Sequence, residues 1–243
     1  MLGLPETIEC CLFDLDGVIT QTAAVHAAAW KKMFDAYLRE RDGEGYAPFT
    51  MDDYAAYVDG KRREDGTRSF LESRGIDLPQ GSPDDGPGTA SVFGLGNRKN
   101  ELVLKLIDED GVKVFDGSVD YVRAARDAGL RTAVVSSSAN TRQVLEVTGL
   151  TDLFDARVDG VIAAERGLPG KPAPDTFLEG ARELGVAADR AAVYEDAISG
   201  VQAGRSGNFG YVIGVNRNDD AHGRRLAQYA DRVVHDLSEL REG

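Results

Sequence analysis

"CCLFDLDGVIT", residues 10–20, runs four mostly apolar residues straight into two aspartates separated by a single leucine. In an extended chain side chains alternate, so Asp14 and Asp16 project the same way from the end of a strand while Leu15 turns inward. Gly17 follows at once and tolerates the tight turn a chain makes when a strand stops beside a ligand. The ends of strands in an open parallel sheet are where ligands bind. Taken alone, the pair fits an acidic turn after a strand equally well, and other segments must decide between the two.

Working outward, "LRTAVVS", "AAVYED", "YVIGV" and "DRVVH" are short apolar runs separated by stretches with helical spacing, from about Leu130 onward. That alternation predicts a parallel sheet wrapped by helices, with "CCLFD" as a further strand. In "PDTFLEGARELG", Phe177, Leu178, Ala181 and Leu184 recur at helical intervals and Gly185 supplies a stop.

The stretch after the first strand reads differently. Trp30, Met33, Phe34, Tyr37 and Leu38 form a helical stripe between Thr22 and Arg39. Thr50 with Asp53 makes a capping-box start for "MDDYAAYV", and "REDGTRSFLESRG" is a third helix ending at Gly75. Residues 77–96, rich in Gly, Pro, Ser and Asp, are expected to be a loop, with Gly94 and Gly96 as connector glycines and Lys99 near the cleft. The expected fold class is therefore α/β: a Rossmann-like core, a parallel sheet flanked by helices, over residues 1–20 and 98–243, with an inserted α-helical domain over 21–97.

Composition limits the partners. With 28 Lys and Arg against 41 Asp and Glu in 243 residues, the net charge is −13, which argues against nucleic acid or an anionic membrane. No apolar run approaches the roughly 20 residues of a membrane span, and "MLGLPETIEC" lacks a basic segment leading into an apolar one, so a cytoplasmic protein is expected; a monomer is expected separately. Cys10 and Cys11, the only cysteines, are sequence neighbours and are read as reduced strand residues.

Three further segments bear on the two acids. "TAVVSSSAN" ends a strand in Ser136, Ser137 and Ser138, followed by Asn140: neutral donors suited to phosphate oxygens, or simply a helix start. "GKPAPD" sets Lys171 before Pro172, which favours an extended backbone and a projecting ammonium. "VYEDAISG" again ends a strand in two acids, Glu195 and Asp196. Carboxylates gathered at one sheet edge repel one another unless a hard cation such as Mg²⁺ joins them. An ionised carboxylate can attack phosphorus, and phosphoryl transfer asks mainly for positioning and charge neutralisation.

"DLDGVIT", the Ser136 strand end, "GKPAPD" and "YEDAISG" resemble, in this order, the four motifs of the haloacid dehalogenase superfamily, and the resemblance spans nearly the whole chain. It implies Asp14 as the nucleophile forming an aspartyl phosphate, and Asp16 as general acid/base and carbonyl donor to one Mg²⁺. It implies further that Ser136 and Lys171 hold the transferring phosphoryl, and that Glu195 and Asp196 complete the metal site with Asp14 and Asp16. The insert resembles the helical cap of the β-phosphoglucomutase-like family through "DLDGVITQTAAVHAAAW" with Thr22, His26 and Trp30, "GKRREDG" with Gly60 and Arg63, "GNRKN", and "SSSAN" with Ser138 and Asn140. Thr22, His26, Trp30, Gly60, Arg63, Ser138 and Asn140 are then substrate-binding residues for a small-molecule sugar phosphate. Arg63, Ser138 and Asn140 grip the phosphate that is not reacting; Thr22 and His26 tie cap closure to Asp16. On residues alone, His26 four places before Trp30 also reads as a packed histidine.

The implied reaction interconverts β-glucose 1-phosphate and glucose 6-phosphate through β-glucose 1,6-bisphosphate; the alternative is a Mg²⁺-dependent sugar-phosphate phosphatase with the same four motifs. A non-catalytic sensor would need a broken catalytic set, and Asp14, Asp16, Lys171 and Asp196 are all present. The chain departs from the family pattern at Gln21, Asp59, Gly66 and Ala139, with lysine expected at the second and fourth positions. Each missing cation weakens a bisphosphate clamp by about 1 kcal/mol or more if unreplaced, with Lys61 or Arg62 as the expected replacements.

Overall fold

A computed structural model describes residues 2–241, apart from the side chain at position 110. The chain divides into two compact units, one comprising residues up to Gln21 and from Val112 on, the other Thr22–Gly111.

The first unit is built on a parallel sheet whose strands are β1 (Cys10–Phe13), β2 (Arg131–Val135), β3 (Ala156–Val158), β4 (Ala191–Glu195), β5 (Tyr211–Val215) and β6 (Arg232–Val234). Their order is β3-β2-β1-β4-β5-β6. Growth from β1 runs outward through β2 to β3, then restarts on the other flank with β4, so the topological switch falls at β1. Phe13 lies level with Val134 of β2 and Tyr194 of β4, which brings three carboxyl ends side by side within roughly 10 Å.

β1 is buried on both faces, which is why it reads as a continuous apolar run. Cys10 and Leu12 join an aliphatic cluster with Val135, Val193 and Phe177. Phe13, on the opposite face, stacks on Tyr194 with ring centroids 4.3 Å apart, and Cys11 Sγ lies 3.4 Å from the Tyr194 hydroxyl. Both cysteines are free, and burial pushes both thiols up to about 12. Helices Asp175–Glu183 and Ile198–Ser206 pack their apolar stripes on the sheet.

The second unit is helical. Trp30, Met33, Phe34 and Leu38 of helix Thr22–Asp42 form its core with Phe49, Phe70, Val92 and Leu95. The Thr50–Asp53 capping box is present, but the helix it starts becomes a π turn over Tyr54–Val58.

Two expectations are corrected here. The loop ends at Ser91, whose hydroxyl caps helix Val92–Asp110 by accepting from Gly94 N–H at 2.9 Å. Gly94 and Gly96 are therefore helical, not connectors: a Cβ on Gly94 would run into the Thr89 carbonyl, and one on Gly96 would lie 3.1 Å from Arg63 Cγ. The expected boundary after residue 97 falls inside this helix, because Val92, Leu95, Val103 and Ile107 continue one buried stripe across it. The edge strand β3 had no counterpart in the sequence reading. No helix among the described residues is long and apolar enough to cross a membrane.

Candidate active site

The switch point gathers the acids. Asp14 continues β1, its N–H donating to the Tyr194 carbonyl at 2.9 Å, and it is 6% exposed. Gly17 then takes φ +88°, and a Cβ there would fall on the Asp196 carboxylate, so the turns after β1 and β4 meet at this glycine. Ser136 closes β2, and its hydroxyl lies 3.5 Å from Asp16 Oδ2.

Lys171, joined to Pro172 by a cis peptide bond and 2% exposed, projects its ammonium among them. Nζ donates to Asp14 Oδ1 at 2.5 Å, to Glu195 Oε1 at 2.6 Å and to the Val135 carbonyl at 3.3 Å, and sits 4.7 Å from the Phe177 ring centroid. Burial works against the ammonium, but Asp14 and Glu195 outweigh it and hold its pKa above that of an ordinary lysine. For Asp14, burial pushes the carboxyl well up, Lys171 opposes this, and Glu195 and Asp16 add to it.

Glu195, expected at the metal, has both carboxylate oxygens engaged within the protein. It is fully buried, Oε1 accepts from Lys171 and Oε2 from the Ala197 N–H at 2.6 Å, so it serves the lysine. Among the described residues no three His, Cys, Asp or Glu side chains are arranged for a metal. The donor chemistry nevertheless fits a hard divalent cation. Asp14, Asp196 and the Asp16 carbonyl are all oxygen donors, and one ammonium among Asp14, Asp16 and Glu195 leaves an excess of negative charge, which adds to the effect of burial in holding the Asp14 carboxyl up.

The serine segment folds on itself. Ser136 Oγ accepts from Ser138 N–H at 3.1 Å and Ser138 Oγ from Asn140 N–H at 3.2 Å. Asn140 occupies the start of helix Thr141–Thr148 without capping it through its side chain. Gly160 packs against this segment, its N–H donating to the Ser138 carbonyl at 3.1 Å.

The remaining expected residues belong to the helical unit. Thr22 is buried at the start of its helix, and Trp30 is buried against Phe34, with ring centroids 5.2 Å apart. Gly60 takes φ +70° in the turn before helix Arg63–Ser73. The Arg63 guanidinium has no carboxylate partner at ion-pair distance among the described residues, and burial lowers its pKa. Arg62, by contrast, is paired with Asp65 at 2.7 Å, and Lys61 donates to Ser69 at 3.0 Å, so both are engaged where a clamp would want them unengaged.

Lys99 holds a larger place than its sequence reading allowed. It is 5% exposed, with Nζ 2.7 Å from His26 Nδ1 and 4.9 Å from the Trp30 ring centroid. An ammonium only donates, so Nδ1 accepts and Nε2 carries the imidazole proton. The signal was a lysine on an apolar stripe between Leu95 and Val103.

A buried lysine between two carboxylates at the switch point of a parallel sheet, beside a second acidic turn, defines a phosphoryl-handling site. The chain belongs to the haloacid dehalogenase-like hydrolase family, whose model matches residues 8–208. Within that family it is 57% identical to the Beta-phosphoglucomutase of Mycobacterium bovis over 99% of this chain and 94% of the relative. It is 30% identical to the Beta-phosphoglucomutase of Bacillus subtilis, over 96% and 92% of the two chains. The crystal structure of beta-phosphoglucomutase from Clostridium difficile superposes with a TM-score of 0.75 at 24% identity, covering 96% of this chain and 93% of that one.

Proposed function

We propose that this chain interconverts β-glucose 1-phosphate and glucose 6-phosphate through a bound glucose 1,6-bisphosphate, as a β-phosphoglucomutase. The single observation that carries the reading is the Lys171 bridge between Asp14 and Glu195, set in a chain 57% identical to a relative of that name. Asp14 attacks the transferring phosphorus through the oxygen that Lys171 does not hold, and the phosphoryl rests on Asp14 as an aspartyl phosphate. Lys171 neutralises the phosphoryl oxygens and is kept protonated and aimed by Glu195. The Ser136 hydroxyl donates to a phosphoryl oxygen. Asp16 takes the proton from the attacking sugar hydroxyl and returns it to the departing one. Asp14, Asp196 and the Asp16 carbonyl would hold a Mg²⁺ ion, which would supply charge neutralisation at the phosphoryl group when bound.

Arg63, Ser138 and Asn140 are proposed to hold the second phosphate, and Arg63, with no carboxylate at ion-pair distance among the described residues, is suited to that role. Thr22, His26, Trp30 and Gly60 complete the sugar-phosphate site on this reading, with Lys99 fixing the His26 tautomer. The protein is proposed to work as a cytoplasmic monomer. With Asp59 and Ala139 where cations are expected, and Arg62 already neutralised, the second phosphate is held by fewer charges, which favours water as a competing acceptor.

The test is to incubate the protein with Mg²⁺, β-glucose 1-phosphate and a trace of glucose 1,6-bisphosphate while following glucose 6-phosphate and free phosphate together. Glucose 6-phosphate without matching phosphate release is expected. Phosphate release alone would overturn the mutase in favour of a sugar-phosphate phosphatase.

A further inference from the structure

The segment after β5, residues 216–222, takes part in no step above, yet it grips the main chain of both acidic turns. Arg217 lies across the turn after Asp16: Nε donates to the Gly17 carbonyl at 3.0 Å and Nη2 to that of Val18 at 3.5 Å. Its guanidinium stands 3.6 Å over the Phe115 ring. Behind, it is anchored by the Ser118 hydroxyl at 3.3 Å, the His235 carbonyl at 2.5 Å and Asp236 at 3.2 Å. Only a planar five-donor fork can serve these acceptors at once.

His222, 7% exposed, donates Nε2–H to the Asp196 carbonyl at 2.8 Å. The chain between the two grips is itself fixed. Asn216 N–H donates to Val234 at 2.7 Å, its Nδ2 to the Asp219 carbonyl at 3.1 Å, and Asp219 caps His222 N–H at 2.8 Å. Since the Asp196 carboxylate fills the space a side chain at Gly17 would take, the carbonyls of Gly17 and Asp196 are points at which the two facing turns are held.

We propose that Arg217 and His222 are positioning residues for phosphoryl transfer, a brace that fixes the Asp16 and Asp196 turns against each other. The proposal rests on the roles given above to those acids. A purely structural role makes function fall only as fast as the folded fraction. A brace weakens metal binding and turnover in protein that is still folded, and leaves sugar-phosphate binding in place.

The experiment takes the full chain and its His222→Gln, His222→Leu, Arg217→Lys and Arg217→Met variants. Mg²⁺ affinity is measured by titration calorimetry without substrate, alongside thermal midpoints, kcat and KM. His222→Leu and Arg217→Met are expected to bind Mg²⁺ about 10- to 100-fold more weakly, the usual loss when a group orienting a ligand is removed. Their kcat falls while KM stays within about twofold, the pattern of an interaction that acts in the transition state. His222→Gln, whose amide can reach the same carbonyl, and Arg217→Lys recover part of each loss. Wild-type Mg²⁺ affinity and kcat in His222→Leu and Arg217→Met would overturn the brace. So would losses that track unfolding, or a glutamine variant no better than leucine. A wild type that binds no Mg²⁺ overturns the metal reading instead. The brace is then judged on kcat, which must still separate glutamine from leucine.

Discussion

Two lysines, each almost wholly buried, show how differently the two units handle charge. Lys171 of the α/β unit lies between the carboxylates of Asp14 and Glu195 at 2.5 and 2.6 Å. Lys99 of the helical unit meets an imidazole at 2.7 Å and an indole at 4.9 Å. The first is part of a cluster with more negative than positive charge, which an external cation can complete. The second belongs to an aromatic core and holds the tautomer of a neighbour. On the proposed function, chemistry is concentrated where buried charge is unbalanced, and recognition where charged groups rest on apolar packing.

The sharpest way to break that division is to exchange one residue on each side. Asp14→Asn removes the proposed nucleophile and is expected to lower kcat by about 10⁴-fold or more. Arg63→Met is expected to raise KM about tenfold with kcat retained, as for loss of a charged hydrogen bond to substrate. Steady-state kinetics on the two variants separates them, and a kcat collapse in Arg63→Met would erase the distinction.

Replacing each lysine by methionine compares the two burial modes directly. Lys171→Met strands two carboxylates and is expected to cost about 3–5 kcal/mol in urea unfolding. Lys99→Met loses a cation–π contact and the hydrogen bond to His26 but strands no charge, and is expected to cost about 1–2 kcal/mol. Equal losses would mean that the charge balance of the two sites is alike after all. Gly160→Ala probes the serine segment: its Cβ would stand 2.8 Å from the Ser137 carbonyl oxygen and 2.9 Å from Ala139 N. Displacing Ser138 and Asn140 by up to about 1 Å is expected to lower kcat/KM by as much as roughly 100-fold while the fold survives, which kinetics and circular dichroism together would check.

The smallest effect belongs to a charge cluster on the α/β unit remote from any chemistry. Glu179 hydrogen-bonds to Arg182 and Arg166, which hold its carboxyl down at about 2 against some burial. Because the folded value lies below the ordinary 4.5, the stability it adds is complete above the unfolded value and disappears as pH falls toward 2. Glu179→Gln should therefore lower the thermal midpoint slightly at pH 7 and not at all near pH 2.

Most of the sheet was legible because buried parallel strands are written as apolar runs ending in turn residues. β3 escaped because Ala156, Arg157 and Val158 form a three-residue edge, partly exposed, with no run to read. The end of the helical unit was misread because Gly94 and Gly96 look like loop residues, whereas they let the Thr89 carbonyl and the Arg63 side chain pass close to a helix. The acids and lysine of the site stood out by type and order. Which oxygen serves the lysine and which faces elsewhere did not, since that depends on the Ala197 N–H filling one side of Glu195.

The paired thiols of β1 offer a use of their own. Cys10 and Cys11 lie fully shielded in the middle of the sheet, at the start of the strand that leads into Asp14, and their high pKa leaves almost no thiolate at neutral pH. An alkylating reagent can reach them only when the side chains packed on the two faces of the sheet, Phe177 and Val201 over Cys10 and Tyr194 beside Cys11, move away. Their labelling rate is thus an intrinsic clock for uncovering of the strand that leads into Asp14, readable by mass spectrometry without adding a probe.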